Sequence, residues 1–179
     1  MKYQDILNFW FHEIEQFQWW IKDLAFDNQI IKKYQDIHIA AQRCELFGWR
    51  NSAEGRLAEV ILLDQFSRNM FRGTPQSFAY DPLALSLAQE AISVGADQML
   101  NEIQRSFLYM PFMHSESPLI HKVAVDLYEK NGVQANLNFE IKHQNIIDRF
   151  GRYPHRNSIL GRTSTDEEIA FLRQPGSSF

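Results

Sequence analysis

The sequence predicts an all-α protein, folded as an array or bundle of antiparallel helices. Apolar residues recur at three- and four-residue spacing along most of the 179 residues, and no stretch shows convincing strand alternation. Residues typical of helix caps and terminators mark the ends of the predicted helices, and the short connections favour antiparallel packing of neighbouring helices. No Pro/Gly/Ser-rich linker divides the chain, so residues 1–179 are predicted to form one domain.

The first half of the chain predicts three helices, over residues 3–13, 28–47 and 55–66. The first carries its apolar side chains on one side. The second has Asp27 as a plausible N-cap and Gly48 as a plausible terminator. Cys44 falls on its apolar stripe and is therefore expected in the core. The third is apolar almost all round, which indicates a helix buried in the middle of the fold.

The second half predicts five further helices. They cover residues 81–95, 101–113, 118–131 and 137–150, with a short last helix after residue 165. Asp81 followed by Pro82 reads as a cap with a first-turn proline. Thr165 and Glu168 have the spacing of a capping box.

Composition limits the class of function. A net charge of −4 argues against a nucleic-acid partner, which usually meets a basic surface. No apolar stretch reaches the roughly 18–20 residues of a membrane span, and no secretory signal is visible at the start. The single cysteine suits a reducing compartment. We therefore expect a soluble, cytoplasmic protein with neither a nucleic-acid nor a membrane partner.

Familiar catalytic and cofactor motifs do not occur in the sequence. It contains no His-Glu-x-x-His, no cysteine pair for zinc, no Gly-rich phosphate loop and no Gly-x-Ser-x-Gly elbow. We predict no metal site and no cofactor. The pattern does not specify an oligomeric state.

One motif occurs twice. The pattern apolar-apolar-Asp-x-Phe-x-Arg-x-x-x-Arg spans residues 62–72 and 146–156, each time where a buried helix is expected to end. Asp and Arg four apart on a helix can pair, as Asp64 with Arg68 and Asp148 with Arg152. Alternatively, four arginines converge on an external anion, since their planar forks suit a carboxylate or phosphate. These four are Arg68, Arg72, Arg152 and Arg156.

Three histidines accompany these motifs. His143 lies on an apolar helix face, where a lone histidine is usually a core residue with a hydrogen-bond partner. His114, with Glu116, precedes a predicted helix start, and His155 lies in a loop beside Arg156. His114 and His155 are either general acid–base groups or ordinary loop residues.

Several segments resemble a bacterial family known only as domain of unknown function nine-two-four. They are ILNFWF (6–11), LLDQFSRN (62–69), FRGT (71–74), YMPFMHSE (109–116), RFGRYPHRN (149–157), LGR (160–162), ST (164–165) and the 175–179 ending. The resemblance implies a TPR-like array of antiparallel helix pairs, and no established activity, substrate or cofactor.

The signature positions form the candidate ligand site. They are Asp64, Arg68, Asn69, Arg72, His114, Glu116, His143, Arg152, His155, Arg156 and Asn157. Three functions stay open at this point. The first is binding of a small anionic ligand or an acidic peptide. The second is an enzyme, a hydrolase or isomerase of a phosphorylated or carboxylated metabolite. The third is a scaffold for protein interaction.

Overall fold

A computed structural model describes residues 1–178, and Phe179, at the end of the 175–179 segment, lies outside them. Regular structure within those residues is entirely helical, which confirms the all-α prediction. The α-helices are α1 (Tyr3–Asn8), α2 (Leu24–Gln42), α3 (Ala53–Ile61), α4 (Ser67–Met70), α5 (Asp81–Ser93), α6 (Glu102–Met113), α7 (Pro118–Asn131), α8 (Gln134–Phe150) and α9 (Asp166–Leu172). Shorter π turns cover Phe9–Glu13 and Leu62–Phe66, and 3₁₀ turns cover Gln16–Trp19, Phe47–Asn51, Pro75–Ser77, Ala96–Met99 and Pro154–Arg156.

A single helical rod runs through the centre of the fold. It consists of α3, the π turn Leu62–Phe66 and α4, and the backbone angles stay helical where these parts join. All residues from 57 to 67 are buried. Helix α3 packs against α1, α5 and α6, so the helix predicted to be apolar all round is the central one.

An aromatic cluster fixes this rod against its neighbours. The Tyr34 ring lies 5.0 Å from Phe9 and 5.0 Å from Phe66, and Trp10 lies 5.5 Å from Phe66, measured between ring centroids. Such pairs each contribute about 0.5–1.5 kcal/mol beyond the area they bury. The cluster therefore holds the polar positions of the rod in a fixed orientation.

Helices α6, α7 and α8 pack on one another in chain order. Residues 114–117 connect the first two, and Gly132 follows α7 in the left-handed conformation, with φ 79°. The TPR-like pairing of helices stays a prediction. The capping box of α9 is confirmed, because the Glu168 amide donates to Thr165 Oγ1 and the Thr165 amide donates to Glu168 Oε2. No helix within residues 1–178 has the length and apolarity to cross a membrane.

The predicted bounds of the second helix were wrong at both ends. Asp23, not Asp27, caps α2, and its carboxylate accepts the amide of Ala25 at 2.8 Å. The helix ends at Gln42, so the apolar spacing that placed Cys44 in the core extends beyond the helix. Cys44 has φ 58° and is exposed.

The predicted cap Asp81 was also misassigned. Asp81 is the first residue of α5, and Tyr80 occupies the N-cap position before it. Since Asp81 does not cap the helix, its carboxylate is available for partners elsewhere in the fold.

The two copies of the repeated motif are not structurally equivalent. In the first, the rod continues through Asp64 and Arg68 and ends at Met70. The second crosses the end of α8, where Gly151 has φ 67°. The predicted pair between Asp64 and Arg68 is confirmed at 3.2 Å. Asp148 is exposed, and Arg152 pairs with Glu168 instead, so the second predicted pair was wrong.

Candidate functional site

The site starts at the π turn in the central rod. A π turn adds one residue to the helical turn and often occurs at functional positions. Here it carries Asp64, whose side chain is 1% exposed. An ionised carboxylate at this depth requires charged or hydrogen-bonding partners.

Three side chains supply those partners. His114 Nδ1 lies 2.7 Å from Asp64 Oδ1, Arg68 Nη1 lies 3.2 Å from the same oxygen, and Gln65 Nε2 donates to Oδ2 at 2.6 Å. Burial alone raises the pKa of Asp64, but the charge of Arg68 and the contact with His114 outweigh it and hold the pKa well below its usual value. Asp64 is therefore a carboxylate at neutral pH.

Asp81 brings together two arginines that are distant in sequence. The fork of Arg68 donates to both Asp81 oxygens, each at 3.0 Å. Arg156 Nη1 donates to Asp81 Oδ2 at 3.3 Å. Bidentate pairing of this kind fixes both distance and orientation. Arg68 and Arg156 thus meet at one carboxylate.

The positive charge of Arg156 is less fully compensated by acidic partners than that of Arg68. Its guanidinium carbon lies 4.6 Å from the ring centroids of both Phe78 and Tyr153. Nη2 donates to the carbonyl of His114 at 3.1 Å, whereas Nε is buried without a partner among the described residues. Burial, and then the charge of Arg68, lower the pKa of Arg156.

These groups border a cavity of about 480 Å³, hereafter the Arg156 cavity. Its polar lining comes from Asp81, His114, Ser115, Glu116, Ser117 and Arg156, and its apolar lining from Pro75, Phe78, Ala79, Pro82, Leu85, Pro111, Ile120 and Leu160. The cavity lies where the start of α5, the connection between α6 and α7 and the 3₁₀ turn Pro154–Arg156 come together. It thus combines an apolar wall with a buried cation.

The protonation state of His114 follows from its surroundings. Burial and then the charge of Arg68 lower the pKa of His114, and together they outweigh the opposite effect of Asp64. Because the Asp64 carboxylate only accepts, the ring proton lies on Nδ1. Nε2 of His114 is then unprotonated, and no residue within 1–178 bonds to it.

Glu116 ties the C-terminal segment to the cavity wall. Its carboxylate accepts from Arg162 at 2.6 and 2.9 Å and from the Tyr153 amide at 2.8 Å. Arg162 Nε donates to Asn157, which is fully buried. Burial raises the pKa of Glu116, but the bonds from Arg162 and Tyr153 lower it by more. Glu116 and Asn157 therefore support the wall that carries Arg156.

The family of the chain is shown by sequence. The family described as "Bacterial protein of unknown function (DUF924)" matches residues 6–176. The chain belongs to this family. It is similar to the solved structure of ATU0120, a protein of unknown function from Agrobacterium tumefaciens, with 45% identity and a TM-score of 0.91 over 96% of each chain. No curated protein matches this DUF924 chain by sequence.

Two candidate histidines of this DUF924 chain pack against Tyr153 and are not lining residues of the cavity. His143 Nδ1 lies 2.7 Å from the Phe139 carbonyl, and its ring packs 5.8 Å from Tyr153. The His155 ring lies 5.6 Å from Tyr153. Burial lowers the pKa of each histidine to about 3. Both are therefore neutral packing partners of Tyr153 at neutral pH.

Three other candidates lie away from the Arg156 cavity. Arg72 donates to both Asp27 oxygens, at 2.6 and 2.8 Å, and Asn69 donates to Asp27 Oδ1 at 2.8 Å. These residues border a separate depression of about 330 Å³. Arg152 forms two bonds to Glu168, at 2.6 and 2.8 Å, near the surface. The four predicted arginines therefore do not converge, and only Arg68 and Arg156 meet.

Sequence reasoning missed Asp81, Tyr153 and Arg162 as site residues. Tyr153 and Arg162 fall within the segments that resemble the family, so that resemblance was the signal that could have identified them. Asp81 was noticed only as a helix cap. Its position beside a proline gave no indication that two arginines bind it.

No cluster of three or more potential metal ligands occurs in the part of the chain that the structure describes.

Proposed function

We propose that the Arg156 cavity binds a small ligand that has one anionic group, a carboxylate or phosphate, and an apolar portion. The observation that carries this proposal is the state of Arg156. Its side chain is 7% exposed, and its Nε donor has no partner among residues 1–178. A buried donor without an acceptor costs about 1–3 kcal/mol, so a shift of the side chain that brings Nε to a ligand oxygen would be favoured.

The pattern of ion pairs supports Arg156 rather than Arg68 as the anion contact. Arg68 makes two bonds of 3.0 Å to Asp81 and a 3.2 Å contact with Asp64. The only ion pair of Arg156 among residues 1–178 is a 3.3 Å contact with Asp81, beside the bond from Nη2 to the His114 carbonyl. An arriving anion therefore exchanges one long contact for a forked bond, while the pairs of Arg68 stay intact.

Size and lining favour a metabolite or the end of a peptide. A volume of about 480 Å³ lies in the lower part of the roughly 300–1,000 Å³ range of ligand pockets. Phe78, Leu85 and Ile120 would cover the apolar portion of the ligand. An acidic peptide would enter by its carboxyl terminus.

An enzyme is the second candidate function, because His114 lines the same cavity with an unprotonated ring nitrogen. The third, a protein-interaction scaffold, is the outcome if no ligand depends on Arg156.

We also propose a cytoplasmic location. The exposed thiol of Cys44 supports it, since a reducing compartment protects such a thiol from intermolecular disulfides.

The proposal is tested by screening small carboxylates and phosphates by thermal shift, then measuring the affinity of hits by calorimetry. Arg156→Lys keeps the charge but removes the Nε donor and the fork, so we expect affinity at least about tenfold lower. Arg152→Lys is the matched control, because Arg152 has its own acidic partner outside the cavity.

Ligand affinity should stay unchanged in Arg152→Lys and fall with rising salt in the unmodified protein. If no stabilising compound depends on Arg156 more than on Arg152, the proposed function is wrong.

A further inference from the structure

The ring of His114 is held from one side only. Asp64 Oδ1 lies 2.7 Å from Nδ1, at the bottom of the site. His114 is nevertheless a lining residue of the Arg156 cavity, and its side chain is 12% exposed. Since Nδ1 is used by the buried carboxylate, Nε2 is the ring nitrogen left to bond a ligand.

Two other buried histidines, His38 and His121, do not share this arrangement. His121 Nδ1 contacts Glu140 at 2.6 Å and its Nε2 contacts the Ser115 carbonyl at 2.8 Å, with the side chain fully buried. His38 contacts Ser67 through Nε2 and Gln42 through Nδ1. Both ring nitrogens are occupied in each, so neither can serve a ligand.

Charged groups surround His114 from three elements. Asp64 and Arg68 come from the central rod, Asp81 from the start of α5, and Arg156 from the 3₁₀ turn Pro154–Arg156. With the pair of Glu116 and Arg162 in the same cavity wall, three carboxylates and three guanidinium groups balance in formal charge. This balance, together with burial, favours a neutral imidazole, which is the form that accepts a proton.

We infer that His114 is a proton-transfer group that acts through Nε2 on a carboxylated or phosphorylated ligand, with Asp64 as its positioning residue. The inference rests on the proposed function, because Arg156 holds the anionic group of that ligand. The Nε2 lone pair takes a proton from a C–H or O–H of the ligand, and the electron pair of the broken bond stays on carbon or oxygen. The ring becomes an imidazolium that Asp64 stabilises through Nδ1–H.

Bromoacetate tests both parts of this inference. It carries a carboxylate for Arg156 and a carbon that Nε2 can attack, with loss of bromide and formation of a carboxymethyl-imidazole. Bromoacetamide has the same reactive carbon but no charge. Both reagents are applied at about pH 7.5, where a neutral imidazole is the reactive form, in a Cys44→Ser background, because the exposed thiol of Cys44 would consume them.

His12 provides an internal reference. It is exposed, so the ratio of its two alkylation rates reports the intrinsic reactivity of the reagents. Peptide mass spectrometry gives the same ratio for His114. We expect the bromoacetate-to-bromoacetamide ratio at His114 to exceed that at His12 by about tenfold, the size of one charge-assisted contact. Arg156→Lys should remove most of that excess.

The outcomes separate the two proposals. Alkylation of His114 by both reagents, with the same ratio as His12, supports a reactive Nε2 but overturns the anion site. Modification of His12 without any adduct at His114 overturns the inference. That outcome leaves the proposed function standing, because calorimetry measures anion binding at Arg156 independently.

The role of Asp64 is tested first by the tautomer of His114 in the unmodified protein and then by a variant. Long-range ¹H–¹⁵N couplings in the unmodified protein should show His114 protonated at Nδ1 and not at Nε2. Protonation at Nε2 would overturn the inference. In Asp64→Asn, the amide can donate to Nδ1 and move the ring proton to Nε2, so alkylation of His114 should slow at least about tenfold. Unchanged alkylation in a folded Asp64→Asn variant would show that Asp64 does not position the ring.

Discussion

Replacement of Asp81 by Asn should destabilise the fold far more than a surface charge change. Asp81 accepts two 3.0 Å bonds from Arg68 and a 3.3 Å bond from Arg156, whose side chains are 20% and 7% exposed. Breaking a buried ion pair by removal of one partner costs about 3–5 kcal/mol. Asn retains one acceptor oxygen and Arg68 retains Asp64, so we expect a loss of about 2–3 kcal/mol.

Urea unfolding followed by circular dichroism measures this loss. With a denaturant slope of about 2 kcal/mol per molar for a chain of this size, the midpoint should fall by roughly 1–1.5 M. The matched control is Glu167→Gln, since Glu167 pairs with Arg149 and both side chains are about half exposed or more, at 62% and 49%. Exposed pairs of this kind contribute less than about 1 kcal/mol. A midpoint for Asp81→Asn within error of that for Glu167→Gln would refute the idea that Asp81 holds the two arginines together.

Three further predictions concern the rest of the fold. Burial lowers the pKa of His38 to about 4 and that of His143 to about 3, both below 6.5, so the unfolded chain binds more protons than the folded one between pH 4 and 6.5. The free energy of unfolding should therefore decrease as pH falls through that range, by about 1.4 kcal/mol per pH unit for each residue, and urea titrations that show no such slope would contradict these assignments. Gly132→Ala should cost about 1–2 kcal/mol because Gly132 has φ 79°, whereas Gly48→Ala, at a position with no neighbour within 4 Å and no left-handed backbone, should change the urea midpoint little. Cys44 is exposed and should react stoichiometrically with a disulfide reagent in the native protein; protection until unfolding would place it in the core after all.

The helices were predictable because their signals are local. The apolar face of the central rod, the capping box at Thr165 and the terminator Gly132 each depend on residues within a few positions of one another. Cys44 was misplaced because the sequence gives no indication that α2 stops at Gln42. The apolar spacing of the sequence continues past Gln42, whereas the helix ends there.

The site was less predictable because its partners are far apart in sequence. Spacing along one helix identified the pair of Asp64 and Arg68. The contact of Arg156 with Asp81 spans 75 residues, and no local pattern encodes it. Asp81 was assigned as a helix cap from its position alone, and such a position does not distinguish a cap from a long-range ion-pair partner. Tertiary packing decided which arginines converge.

Side-chain exposure could not be predicted from the sequence either. Arg72 and Arg156 occupy the same position of the repeated motif, yet Arg72 is exposed and Arg156 is buried. The first reaches a carboxylate on α2, whereas the second is stacked between Phe78 and Tyr153. A repeat in sequence therefore did not produce a repeat in environment.

A crystal structure of the protein with the tightest-binding anion from the screen tests the central claim most directly. We predict a ligand oxygen within hydrogen-bond distance of Arg156 Nε, with the rest of the ligand against Phe78 and beside His114 Nε2. A ligand found instead on an exposed arginine such as Arg152, with the Arg156 cavity empty of it, would contradict the claim.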